Sequence, residues 1–225
     1  MKFASYEEAV AGMIRWGQWI MEHHLTWGSA GNMSVRISEE QAVVTASGTR
    51  FDALREEDFA LCNIATGQFT GRKPSKELPC HLGLYRRTPW AGAAVHVSPF
   101  YTTLAASSDL EIPQNLFVEN MYYLQRIERV DYAHPGSDAL ACAIEEAGAH
   151  GNIILMKNHG VMVYDTSLQE ACTGLEVLEN SCRMALEAKR AGITLQGVPD
   201  SVREDFLLRS GYKPARPWPQ PSNPF

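Results

Sequence analysis

Residues 152–164 read NIILMKNHGVMVY. Two apolar runs flank the polar turn Asn158-His159-Gly160, so the segment predicts two strands hinged at that turn. His159 then stands at a strand end, where binding groups often gather. Upstream, Ser137 caps a helix that runs to about Ala147, and Gly148 and Gly151 close it. Downstream, Ser167-Leu168-Gln169-Glu170 has capping-box spacing and opens the longest helix, which ends near Gly192. Further back, Gly92–Val97 is a short buried strand carrying His96. Pro99–Ala106 is a helix, and Lys76–Arg87 is another, stopped by Pro89.

The first third adds a helix from Ser5 to about His23, with apolar residues at Val10, Met13, Ile14 and Ile20. A turn at Gly28–Asn32 leads into the alternating strand Met33–Ile37. Ala42–Thr45 is a second strand, ended by Ser47-Gly48, and Phe59–Phe69 is a hairpin through Ala65-Thr66-Gly67. A short helix spans Ser201–Leu208. From Pro214 on, the prolines at 214, 217, 219, 221 and 224 exclude helix or central strand. Two readings of this arm stay open: disorder, or an arm over a neighbouring subunit anchored by Trp218 and Phe225. Residues 1–213 then form one domain and 214–225 a Pro-rich arm. From the residues alone, that domain is α+β with a mixed sheet.

Composition narrows the function. The chain has 225 residues, 45% of them apolar, an ordinary globular value. Its net charge of −6 argues against a nucleic-acid binder built on a broad basic face. It has no apolar run long enough for a membrane span and no signal-peptide core at its start. Its five cysteines include no CxxC pair, which fits free thiols in a reducing cytosol.

Three turns combine glycine with small polar groups: Gly31-Asn32, Ser47-Gly48 and Ser75-Lys76. Glycine lets backbone approach a ligand, the hydroxyls and amide donate, and Lys76 adds positive charge near a helix start. Together they suit a phosphate or carboxylate. Glu77 follows directly, in the first turn of its helix, with His81 four residues on along the same face.

In order, these segments resemble the class II aldolase/adducin family. The matching stretches are Gly31–Arg36, Thr45–Gly48, Pro74–Glu77, Ala94–His96, Asn158–Val161, Tyr132–Ser137 and Ser167–Ala171. The resemblance implies an α/β fold of three layers, α/β/α, around a central mixed and mostly antiparallel sheet. It also implies a cyclic homotetramer with active sites at subunit interfaces. Gly31, Asn32, Ser47, Gly48, Ser75 and Lys76 map onto the substrate-phosphate loops and Glu77 onto the catalytic acid/base. His96 and His159 map onto ligands of a divalent ion: zinc, with manganese, cobalt or iron as alternatives.

The chain departs from the family pattern in two places. Where the aldolases carry His-x-His, this chain reads His96-Val97-Ser98, so Ser98 takes the second histidine's place. Glu77 is also available for the vacant ligand position, and His81 is the second choice. Where the aldolases place a catalytic tyrosine after an Ile-Pro pair, Phe117 follows Ile112-Pro113, with Tyr122 and Tyr123 nearby. The implied activity is a metal-dependent lyase that cleaves a C–C bond of a small hydroxy-ketone or sugar phosphate through a metal-stabilised enediolate. Glu77 moves the proton, which calls for a carboxyl pKa raised towards neutrality. The alternatives are a decarboxylase of a small carboxylated substrate, an epimerase or dehydratase on the same scaffold, or a metal-free non-catalytic member.

Overall fold

The computed structural model describes residues 3–218. Its elements are the helices α1 (Tyr6–Glu22), α2 (Leu78–Arg87), α3 (Phe100–Ala106), α4 (Val118–Tyr123), α5 (Asp138–Ala147), α6 (Leu168–Ala191) and α7 (Asp200–Arg209). The strands are β1 (Asn32–Arg36), β2 (Gln41–Thr45), β3 (Phe59–Asn63), β4 (Phe69–Gly71), β5 (Ala93–Val97), β6 (Ile127–Val130), β7 (Ile153–Met156) and β8 (Gly160–Asp165). All eight form one sheet in the order β4-β3-β2-β1-β5-β8-β7-β6. Every pairing is antiparallel except β6 with β7.

Side chains on a strand alternate between faces, so both faces of this sheet must be covered. Val95 and Val97 of β5, Val161 and Val163 of β8, and Met33 and Val35 of β1 join one apolar cluster with α1, α3, α4 and α6. Ala94, Met162 and Tyr164 point the other way, into a second cluster with α2 and α5. The result is the expected three-layer α/β/α arrangement around a mixed, mostly antiparallel sheet. No helix among the described residues is long and apolar enough to cross a membrane. All five cysteines are unpaired.

Capping follows the sequence at three helix starts. Ser5, Ser137 and Ser167 each accept a backbone N–H from three residues on, at 3.2–3.3 Å. Glu170, however, does not reach back to complete its capping box. Its carboxylate takes Lys213 Nζ at 2.7 and 2.8 Å and the Tyr123 hydroxyl at 2.9 Å instead. Two elements carry weak local signals and are absent from the sequence reading. The six-residue α4 is preceded by Phe117, which offers no side-chain cap. β6, at a sheet edge, sets the adjacent charges Glu128 and Arg129 between Ile127 and Val130, so it lacks the alternation that marks a strand.

The arm from Pro214 to Trp218 lies on its own chain rather than in solvent. The Arg216 guanidinium and the Asp165 carboxylate are only 1% and 2% exposed and meet at 2.6 Å. The Tyr122 hydroxyl donates to Pro214 O at 2.8 Å. Trp218 packs edge-on against Trp90 under the Arg126 guanidinium. The second expected anchor, Phe225, lies outside the described residues.

The Glu170–Lys213 contact gives a pH prediction. Burial is the largest single influence on Glu170 and raises its pKa, but Lys213, Tyr123 and Arg216 together outweigh it and hold the carboxyl below its ordinary range. A lowered folded-state pKa adds stability above the unfolded value and loses it as pH falls through the folded one. Lys213→Met is therefore expected to flatten the acid limb of the Tm–pH profile, between roughly pH 5 and pH 3. Scanning calorimetry would show this. Parallel acid limbs in variant and parent would contradict it.

Candidate active site

Asn32 on β1 and His96 on β5 are register partners, so they stand side by side on the sheet face that α2 covers. The β7–β8 turn brings His159 to the same end of these strands, helped by Asn158 in the left-handed conformation (φ 55°). Glu77 is the residue from which α2 starts, rather than part of its first turn. Its N–H bonds Ser75 Oγ at 3.2 Å, and Leu78 N–H bonds Ser75 O at 3.0 Å, which turns the chain sharply into the helix.

These elements converge on one point. Glu77 Oε2 is 3.4 Å from His96 Nε2, and Glu77 Oε1 is 3.3 Å from His159 Nε2. One ligand atom from each residue lies within 4.8 Å of the other two. His96 Nδ1 is 3.0 Å from the carbonyl of Val161. A carbonyl only accepts, so Nδ1 carries the proton and Nε2 offers its lone pair to the cluster. Glu77 Oε1 is buried and lacks a hydrogen-bond partner among the described residues. Burial lowers the pKa of His159, which favours the neutral, ligating form. Two imidazole nitrogens and one carboxylate, with an orphaned buried oxygen among them, form a donor set that suits a divalent ion of the zinc type.

Ser98 does not join this set. Its hydroxyl donates to His159 O at 3.0 Å, and its own carbonyl accepts the Trp27 indole N–H at 3.0 Å. The serine ties the histidine turn to the cavity mouth, and Glu77 supplies the third donor. His81 is fully buried and both its ring nitrogens are occupied, by Asn32 Oδ1 at 2.5 Å and Ser34 Oγ at 2.7 Å. It is therefore not a ligand, and burial pushes its pKa down to about 4.

The carboxyl pKa of Glu77 also departs from expectation. Burial is again the largest single influence and raises it. His96, the amide hydrogen bond from Asn32 at 2.7 Å, His159 and His81 together reverse that and lower it. The resting group is a carboxylate.

A cavity of about 450 Å³ opens over the cluster. Gly31, Asn32, Ser47, Gly48, Ser75, Lys76, Glu77, His96 and His159 all line it. The loops contribute differently from expectation. The N–H groups of Ser47 and Ser75 are engaged by Lys73 O and Thr45 O, so these residues face a ligand with hydroxyls rather than main-chain donors. Trp27, Thr49 and Pro135 also line the cavity. Pro135 falls in a stretch matching the family pattern, whereas nothing local in the sequence marks Trp27. The hydroxyls of Tyr122 and Tyr123 are turned to Pro214 and Glu170, and neither lines this cavity in its own chain.

Gly31 has φ 113°, and a Cβ there would come within 2.8 Å of the His96 carbonyl oxygen. Gly31→Ala is expected to cost about 1–3 kcal/mol in backbone strain alone, and more through the displaced strand. Gly48 (φ 76°) has open space for a Cβ, so Gly48→Ala bears only the strain. Urea unfolding would separate the two; equal losses would contradict the close approach at His96.

The family model described as the Class II Aldolase and Adducin N-terminal domain matches residues 11–186. A 3-oxo-tetronate 4-phosphate decarboxylase of Haemophilus influenzae is 31% identical over 176 residues, covering 76% of this chain and 84% of that protein. An L-fuculose phosphate aldolase of Methanococcus vannielii is 32% identical over 158 residues, covering 70% of this chain and 84% of that protein. In fold, the chain superposes on a putative aldolase/epimerase/decarboxylase from Klebsiella pneumoniae with a TM-score of 0.82 at 23% identity, covering 89% of this chain and 98% of the other.

Proposed function

The chain belongs to the class II aldolase and adducin family, and from that membership we propose that it is a metal-dependent lyase. It breaks a C–C bond in a small phosphorylated β-hydroxy ketone or β-keto acid. The observation that carries this reading is the meeting of Glu77, His96 and His159 at the floor of the cavity whose wall is the Ser47, Ser75 and Lys76 anion cradle.

Glu77, His96 and His159 would hold the ion. A bound divalent ion supplies a Lewis acid for negative charge developing on the substrate's carbonyl oxygen. The cradle binds the phosphate and fixes the substrate's distance from Glu77. Glu77 is the one carboxylate among the described residues that line the cavity, so proton transfer at the carbon that loses its bond falls to it. Because its resting form is ionised, the proton it delivers is one it has first accepted. In an aldol cleavage that proton comes from the hydroxyl that becomes the aldehyde. In a decarboxylation it comes from water. The Haemophilus influenzae relative, a decarboxylase of a phosphorylated 3-oxo acid, makes decarboxylation the first reaction to test. The exposed Lys76 at the rim supports it by offering a cation for a second anionic group. The Methanococcus vannielii relative keeps aldol cleavage as the second reading.

The test is product analysis of zinc-loaded protein. With 3-oxo-tetronate 4-phosphate, carbon dioxide and a three-carbon ketone phosphate are expected. With L-fuculose 1-phosphate, an aldehyde and a three-carbon ketone phosphate would instead favour the aldolase. Both substrates recovered unchanged would contradict the lyase reading.

A further inference from the structure

Glu77, His81 and Tyr85 lie four residues apart along one face of the α2 segment, and Asn32, Ser34 and Arg36 lie two apart on one face of β1. Four helical residues rise about 6 Å and two strand residues about 6.7 Å, so the two rows stay in step. They meet pair by pair. Asn32 Nδ2 donates to Glu77 Oε2 at 2.7 Å, and Asn32 Oδ1 faces His81 Nε2 at 2.5 Å. His81 Nδ1 faces Ser34 Oγ at 2.7 Å, and Ser34 Oγ faces the Tyr85 hydroxyl at 2.8 Å. Arg36 closes the row on the Tyr85 carbonyl and ring. Ser34 and His81 are fully buried, and Tyr85 is 1% exposed.

Buried polar rows of this kind allow few proton arrangements. An ionised Glu77 accepts only, so the Asn32 amide nitrogen must face it and the amide oxygen must face His81. A neutral His81 then carries its proton on Nε2, takes the Ser34 hydroxyl proton at Nδ1, and leaves Ser34 Oγ to accept from Tyr85. The opposite arrangement sets the Asn32 oxygen against a carboxylate oxygen at 2.7 Å, two acceptors with no proton between them. We propose that Tyr85–Ser34–His81–Asn32 is a one-way hydrogen-bond chain that locks the Asn32 amide onto Glu77. His81 and Asn32 are then positioning residues, holding the carboxylate in the rotamer that meets His96 and His159. The inference builds on the proposed metal site and assigns Asn32 a task beyond lining the anion cradle.

The test compares His81→Phe, which fills the space but cannot donate, with His81→Gln, whose amide can still donate to Asn32 Oδ1. Zinc titration calorimetry on metal-free protein reads affinity, and cobalt substitution reads ligand geometry through its visible absorption. His81→Phe should weaken zinc binding by roughly 10- to 100-fold, the range for losing a group that orients a ligand, and alter the cobalt spectrum. His81→Gln should restore both to near the parent values. Parent-like zinc affinity and cobalt spectrum in His81→Phe would overturn the proposal. A second readout needs neither metal nor variant: long-range ¹H–¹⁵N correlation on histidine-labelled parent protein should show His81 protonated at Nε2. Protonation at Nδ1 would overturn the chain's direction. A parent protein that binds no zinc yet shows the Nε2 tautomer would sink the metal reading while supporting the chain.

Discussion

Glu77→Gln is expected to lower kcat by about 10³-fold while KM changes little, in the range for removing a positioned acid–base group. Glutamine keeps the shape and one oxygen to accept the Asn32 amide, so the fold and the β1–α2 row should survive. What it loses is the charge, and with it an anionic donor to the ion, together with the capacity to take and return a proton, so both proteins are compared at saturating zinc. The cradle residues Ser47, Ser75 and Lys76 stand on separate loops and remain intact, so the loss belongs in kcat. Steady-state kinetics on whichever substrate the parent turns over would show it. A variant within tenfold of the parent would mean that the proton travels by another group.

Arg216→Met should be the most destabilising change outside the cavity. Arg216 donates through Nε and Nη2 to Asp165 Oδ2 at 3.1 and 2.6 Å and through Nη1 to Tyr122 O at 2.8 Å, all out of water. Methionine fills part of the space but leaves the Asp165 carboxylate buried without a cation. Breaking a buried pair from one side costs about 3–5 kcal/mol, which for a domain of this size lowers Tm by roughly 6–20 °C. The double variant Asp165→Leu with Arg216→Met removes both charges and should recover much of the loss. Thermal unfolding of the two side by side would check this. A single variant as stable as the parent would mean that the arm contributes little to the folded state.

The sequence made legible what depends on short-range pattern. The NIILMKNHGVMVY stretch is β7, a turn and β8, and its histidine reaches the cavity because Asn158 and Gly160 allow the turn. The residues expected at the phosphate loops and at the metal all line one cavity, because motifs far apart in the chain sit at the same end of neighbouring strands in one sheet. Contacts formed only in three dimensions were not legible. Nothing near Arg216 announces that Asp165, fifty-one residues away, is its partner. The spacing of Glu77 and His81 shows a shared helix face, but only the sheet register shows that β1 supplies a matching polar row that takes both nitrogens of His81. The lowered pKa of Glu77 likewise comes from His96, Asn32, His159 and His81, where the mechanism read from the sequence called for a raised one.

The central claim is that Glu77, His96 and His159 together hold one divalent ion. Titrating metal-free protein with zinc in a calorimeter tests it most directly, with His159→Ala run beside the parent. About one ion per chain is expected, with an affinity weaker by roughly a hundredfold or more in the variant. Heat from no site in the parent, or the same affinity in both proteins, would contradict it.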